Sequence, residues 1–182
     1  MTKTIESKER VFTGKAFSVD LVDVNLPDGT RRQYDLVVHS PAVTLVPVDD
    51  RGNLLMVRQY RLGADQTLLE FPAGVLSEGE DPQTGAAREL REETGMAAAN
   101  LIPLGDFYMT PGYCTEQMFV FLATGLFPAP LPADDDEFLH LVKIPIDRIE
   151  EYVANGELVD GKTLASLFFA REHLFRLKNQ PS

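Results

Sequence analysis

Residues 74–96 read GVLSEGEDPQTGAARELREETGM, and the rest of the chain can be placed relative to them. Asp81-Pro82 is a helix start: a carboxylate suited to cap the first free N–H groups, then the ring tolerated at the first helical position. Gly95 is the matching stop, so Pro82 to Thr94 is expected to be a short helix. At about 100° per residue, Glu89 and Glu93 lie four apart on one face, with Glu92 about 60° from the first and about 100° from the second. Ala86 and Leu90 fall beside Glu93 on the same wheel, so the acidic face borders the apolar stripe that must be buried.

Like charges at i, i+4 mildly destabilise a lone helix, and carboxylates at a core boundary also lose hydration. A hard divalent cation relieves both costs. Mg²⁺ takes oxygen ligands, keeps several waters, and is usually shared between one or two carboxylates and substrate phosphates. Arg88 and Arg91 offer the plainer alternative of ion pairing on a solvated surface helix. On pattern alone that alternative is the commoner one.

The spacing is more specific than the charge. Gly74, five residues, Glu80, seven residues, then Arg88-Glu89-Leu90, one residue, Glu92-Glu93, one residue and Gly95-Met96 resembles the signature of the Nudix hydrolases, with no position departing from it. In that family the segment is a loop-helix-loop that binds Mg²⁺ and hydrolyses a nucleoside diphosphate linked to another moiety. The resemblance implies an α/β (α+β) fold, an αβα sandwich around a mixed β-sheet. It implies metal ligands at Glu89, Glu92, Glu93 and the backbone carbonyl of Ala73, with Mn²⁺ an alternative to Mg²⁺, and catalytic roles for Glu93 and Glu89. Arg88 would hold the helix carboxylates in place and Glu80 would brace the loop.

With 182 residues, 44% of them hydrophobic, the chain suits one compact domain plus a modest appendage. A formal net charge of −11 opposes nucleic-acid binding, which needs basic surface. It does not oppose a small anionic substrate met locally by a cation and a few arginines. The single cysteine, Cys114, excludes an internal disulfide and is expected to be inert packing. No signal peptide or long apolar run opens the sequence, so a cytoplasmic protein without membrane contact is the expectation.

Residues 1 to 10 are polar and expected to be frayed. Val11 to Asn25 and Arg31 to His39 have β character around Leu26-Pro27-Asp28-Gly29, whose Asp-Gly is a strong turn signal. The first forty residues therefore read as a small antiparallel sheet (1–40), too small to stand alone, ahead of the main domain (41–182). Pro41 marks the boundary. Strands are expected at Ala42 to Pro47, Asn53 to Arg58, Asn100 to Met109, Gln117 to Thr124 and Leu139 to Ile144, with a loop from Phe127 to Asp136. Helices are expected at Asp147 to Ala154 and Lys162 to Lys178. The last carries Leu164, Leu167, Phe168, Leu174 and Phe175 at helical spacing, which points to core packing rather than a ligand groove.

Arg58-Gln59-Tyr60-Arg61, at a strand end, supplies two guanidinium groups for phosphate and an aromatic face for a base; charges simply facing water are the plain alternative. Together with Leu68-Leu69-Glu70-Phe71-Pro72-Ala73-Gly74 the run resembles the ADP-ribose pyrophosphatase branch, including relatives acting on other nucleoside diphosphate sugars. That resemblance implies that Arg61 contacts substrate phosphate or ribose and that Glu70 lies in the pocket. Pro111, sixteen residues beyond Gly95, stands where ADP-ribose hydrolases of the superfamily carry a proline, and it is also a Pro-Gly turn. Glu116 follows in the same loop, as an acid often does in that branch, and the resemblance implies a metal or substrate contact there.

Hydrolysis also needs a group to orient and deprotonate water, and a carboxylate is suitable. Asp134-Asp135-Asp136-Glu137 is a candidate source, although acid runs are usually solvated loop. The branch places its proposed base just before the strand matching Leu139 to Ile144, which favours Glu137, with Asp135, Asp136 or a signature glutamate as alternatives. His39, His140 and His173 show no ligand spacing.

The resemblance thus implies Mg²⁺-dependent cleavage of ADP-ribose or a similar nucleoside diphosphate sugar to a nucleoside monophosphate and a sugar phosphate. Another sugar nucleotide such as a GDP-hexose, or a non-catalytic ADP-ribose sensor, are the alternatives. Because the branch exchanges its N-terminal element between subunits, a homodimer through residues 1–40 is expected.

Overall fold

The computed structural model describes residues 4–132 and 138–179. Two compact units account for the chain: the segment through Pro41 with Tyr108–Gln117, and Ala42–Phe107 with the residues from Met118 onward.

In the first unit the Asp-Gly turn forms as its chemistry dictates. Asp28 Oδ1 accepts from the backbone N–H of Thr30 at 2.9 Å, and Gly29 takes φ +83°. The turn joins β2 (Ser18–Asn25) to β3 (Arg31–Val38) in an antiparallel register running from Asn25 opposite Arg31 to Ser18 opposite Val38. A third strand, β1 (Thr4–Thr13), pairs antiparallel with β2, so residues 4–10 are ordered strand rather than frayed. Every β1 side chain is exposed. A backbone ladder does not depend on side-chain hydrophobicity, which is why polar composition was a poor guide here. The expected single run from Val11 to Asn25 is broken by a turn in which Gly14 donates to the Phe17 carbonyl at 2.9 Å. Tyr108–Gln117 contributes a tight turn in which the Tyr113 and Cys114 N–H groups both donate to the Thr110 carbonyl, at 3.1 and 2.9 Å.

The second unit is built on a four-stranded sheet ordered β7 (Ala73–Val75), β4 (Ala42–Pro47), β9 (Gln117–Pro128), β8 (Met96–Tyr108). The β4–β9 pair is parallel and the β4–β7 pair antiparallel, so the sheet is mixed. A three-stranded antiparallel sheet, β10 (His140–Pro145), β5 (Asn53–Arg61), β6 (Gln66–Glu70), completes it. Alternation along β4 and β9 explains the layers. Val43, Leu45, Phe121 and Ala123 pack with Ala86 and Leu90 of α1 (Pro82–Thr94). Val46, Val120 and Leu122 face the other way and pack with Ile149 of α2 (Ile149–Ala154) and Ala170 and Leu174 of α3 (Gly161–Lys178).

Strand β9 runs four residues beyond the expected Thr124, so Phe127 and Pro128 belong to a strand and not to the following loop. The chain leaves β10 through a 3-10 turn, Ile146–Arg148, before α2. In α3 the expected core role holds for Leu167 and Leu174 only. Phe168 and Phe175 are 65% and 67% exposed, and with Leu164 and Val153 they line a groove between α2 and α3. The buried face of α3 joins Leu174 with Lys162, Thr163, Ser166 and Ala170. No described helix is long and apolar enough to cross a membrane.

Candidate active site

Helix α1 has the ends its sequence encodes. Asp81 accepts from the Thr84 N–H at 3.1 Å as N-cap, Pro82 opens the helix, and Gly95 closes it at φ 71° with its N–H on the Arg91 carbonyl. Ala86 and Leu90 anchor the apolar stripe, and this fixes where the neighbouring carboxylates point. Glu89 and Glu93 are buried, 6% and 8% exposed. Glu93 accepts from the Ala73 N–H at 3.3 Å.

Gly74 is required by close approach, since its φ lies outside the left-handed region. A Cβ at this position would stand 2.0 Å from the carboxyl carbon of Glu89. Strand β7 therefore lies directly over the Glu89 carboxylate.

Arg88 organises the acidic face. Its Nε and Nη2 grip Glu80 at 3.0 and 2.9 Å, its Nη1 donates to Glu89 and Glu92 at 2.6 and 2.8 Å, and Nη2 also reaches the Val75 carbonyl at 3.2 Å. The Glu80 pair chiefly raises the Arg88 pKa above the ordinary guanidinium value. In return Arg88, followed by the Ser77 N–H, holds the Glu80 carboxyl below the ordinary carboxylate range. The loop brace and the carboxylate holder expected from the sequence are one ion-pair network.

A second cluster lies on β5 and β6. Glu70 is 1% exposed, and Arg61 grips it bidentately, Nε to Oε1 at 2.8 Å and Nη2 to Oε2 at 2.5 Å. The Arg61 pKa is raised first by its hydrogen bond to Glu70, with the charges of Asp160 and Glu93 adding to it. Lys162, buried in the first turn of α3, also donates to Glu70 Oε2, and to Asp160 Oδ2 at 2.9 Å. Neither Lys162 nor Asp160 was singled out from the sequence. Asp160-Gly161-Lys162-Thr163 carries a legible helix cap, but nothing local ties it to a carboxylate ninety-two residues earlier.

Arg58 and Tyr60 are placed differently. Strand alternation puts Arg61 on the face of Val57 and Glu70, and Arg58 and Tyr60 on the face of Met56 and Leu69. Arg58 pairs with Glu157 at 3.3 Å, and the Tyr60 hydroxyl donates to Asp65 at 2.6 Å across the β5–β6 turn. Pro111 and Glu116 belong to the first unit, Pro111 within the Thr110 turn and Glu116 accepting at its carbonyl from the Met109 N–H at 3.1 Å. Cys114 is buried beside them, consistent with packing. Glu137, Asp135 and Asp136 lie outside the described residues.

The donor type suits a hard divalent cation: Glu89, Glu92 and Glu93 are carboxylates on one helix, and Glu89 and Glu93 are buried. As placed, no three His, Cys, Asp or Glu side chains among the described residues share ligand distances, and Arg88 bridges Glu89 and Glu92.

Residues 38–166 match the NUDIX domain family. The chain is 38% identical over 163 residues to the ADP-ribose pyrophosphatase of Bacillus subtilis (strain 168), covering 88% of each. It is 30% identical over 166 residues to the GDP-mannose pyrophosphatase of Yersinia pestis (strain Pestoides F), covering 84% of this chain and 83% of that one. Among solved structures, a crystal structure of ADP compounds hydrolase superposes with a TM-score of 0.87 at 30% identity, covering 97% of this chain and 96% of the other.

Proposed function

The chain belongs to the NUDIX family, and from that premise we propose that it hydrolyses the diphosphate bond of ADP-ribose or a related nucleoside diphosphate sugar, releasing a nucleoside monophosphate and a sugar phosphate. The observation that carries this reading is the geometry of the α1 carboxylates: Glu89 and Glu93 are buried, Glu93 accepts from the Ala73 N–H, and Gly74 of β7 lies against the Glu89 carboxylate.

Glu89, Glu92, Glu93 and the Ala73 carbonyl would hold a divalent cation, with Mg²⁺ the proposed ion and Mn²⁺ its alternative. When bound, it supplies neutralisation of the diphosphate and of charge developing during attack by water. The residues of the chain do the rest. Arg88 fixes Glu89 and Glu92 and is itself fixed by Glu80, so the acidic face is preorganised at little entropic cost during turnover. Arg61 offers its guanidinium to phosphate or ribose, and Glu70 orients it. Arg58, Tyr60, Pro111 and Glu116 stay as proposed substrate contacts, and Glu137 as the proposed group orienting water, with Asp135 and Asp136 as alternatives.

The experiment is a panel of nucleoside diphosphate derivatives with product identification in isotopically labelled water, with and without chelator. ADP-ribose is expected to be cleaved, with loss of activity on chelation and recovery on adding Mg²⁺ or Mn²⁺. Preference for a GDP-hexose would favour the second reading, which the 30% identity to a GDP-mannose pyrophosphatase supports. Tight ADP-ribose binding without turnover would support a sensor.

Residues 1–40 are further proposed as a dimerisation segment ahead of a hydrolase domain at 41–182, in a cytoplasmic protein. The exposed Ile5, Val11, Phe12 and Phe17 support the dimer, because so small a sheet cannot bury them alone. A fully active monomer in sedimentation would overturn it.

A further inference from the structure

Lys162 has no role in the chemistry described so far, yet it is 7% exposed and sits in the first turn of α3 against the buried Glu70. Its surroundings are closely specified. Asp160 Oδ2 accepts from Lys162 at 2.9 Å and, as the α3 cap, from the Thr163 N–H and hydroxyl at 2.9 and 2.6 Å. The Thr163 hydroxyl oxygen in turn accepts from the Phe71 N–H at 2.9 Å, so α3 is tied to adjacent residues of the β6 end.

As a staple alone this is a poor design, because a buried ion pair is usually no more stabilising than apolar side chains of similar volume. The charges suggest another purpose. Asp160 is compensated by the N-terminus of α3, whose dipole favours negative charge. Glu70 would then neutralise Arg61 completely if Lys162 were absent, and an anionic diphosphate would meet no net positive charge there. With Lys162 sharing Glu70 Oε2, part of the Arg61 charge stays available to an external anion. Arg61 grips Glu70 through Nε and Nη2, which leaves the Nη1 edge outside that pair.

We propose that Lys162 is a positioning residue for substrate phosphate: by holding the buried Glu70 from the α3 side it fixes the Arg61 guanidinium and keeps its charge available to the diphosphate. The proposal rests on the hydrolase reading given above.

The test is steady-state kinetics on the best substrate of the panel. Lys162→Met is expected to raise KM about tenfold or more, the scale of one charge-assisted contact, while kcat changes less than about threefold. Lys162→Arg is expected to restore KM to within about threefold, the charge being kept. In an Arg61→Met background, Lys162→Met is expected to add less than about twofold, since residues acting through one another are non-additive. A fall in kcat and Tm at unchanged KM, or full additivity with Arg61→Met, overturns the proposal and leaves Lys162 a staple. If Lys162→Met does not fold, Asp160→Asn decides: it keeps the helix cap and the Lys162–Glu70 pair, so KM should hold or fall, and a rise overturns the proposal. A wild-type chain that cleaves nothing in the panel sinks the hydrolase reading and this proposal with it, whereas an active wild type with unaltered KM in Lys162→Met sinks the proposal only.

Discussion

A Cβ at Gly74 would lie 2.0 Å from the carboxyl carbon of Glu89 and 2.1 and 2.2 Å from its two oxygens. The obstructed group is the far end of a flexible side chain, so in Gly74→Ala the carboxylate is expected to move and the backbone to stay. Stability should therefore fall by no more than an ordinary single substitution costs, about 1 kcal/mol or less. Activity should fall about a hundredfold, because a preorganised charge has left its place. Thermal melts beside kcat measurements check this, and near-normal activity would mean that Glu89 need not occupy the position seen here.

Glu93 joins α1 to β7 through the Ala73 N–H. Glu93→Gln keeps the shape and loses the charge. We expect kcat to drop by at least about two orders of magnitude with the fold retained, by analogy with removal of other preorganised electrostatic groups. Circular dichroism and turnover with Mg²⁺ are the measurements, and a variant close to wild type would sink the assignment of Glu93 to the metal.

Glu80 should make part of the stability depend on acid. Its pKa in the folded chain is depressed below the ordinary 4.5, first by Arg88 and then by the Ser77 N–H. The unfolded chain then binds more protons, so the contribution is fully present above the ordinary value and is lost as pH falls through the folded one. The Tm difference between wild type and Glu80→Gln should be constant from neutral pH down to about 5, then shrink on further acidification. A difference that does not vary with pH would show that the Glu80 charge is not what stabilises the loop.

Phe168 and Leu174 occupy the same helix on different faces. Leu174 is 6% exposed and Phe168 is 65% exposed. Leu174→Ala is expected to cost about 2–5 kcal/mol in chemical denaturation. Phe168→Ser should stay within about 0.5 kcal/mol and increase solubility, since it removes part of an exposed apolar groove. Equal costs at the two positions would mean that the α2–α3 groove is covered in solution.

The sequence by itself determined α1 and the loop before it. Asp81, Pro82 and Gly95 fix the ends through local capping, helical periodicity fixes which residues share a face, and the spacing from Gly74 to Glu93 carries the family resemblance. The turns at Asp28-Gly29 and Thr110-Pro111-Gly112 were legible for the same reason, because turn chemistry is decided within four residues. The pairing of polar β1 was not, since a ladder is made by backbone groups that every residue carries. Only the tertiary structure decided what surrounds Glu70. Arg58, Tyr60 and Arg61 are neighbours in sequence, but strand alternation sends Arg61 to Glu70 and the other two to the opposite face. Lys162 reaches Glu70, and Asp160 reaches Lys162, only because α3 packs Ala170 and Leu174 into the core beneath the strands. Charges that meet across ninety residues leave no periodicity in the chain, because what brings them together is the burial of apolar side chains elsewhere in the fold.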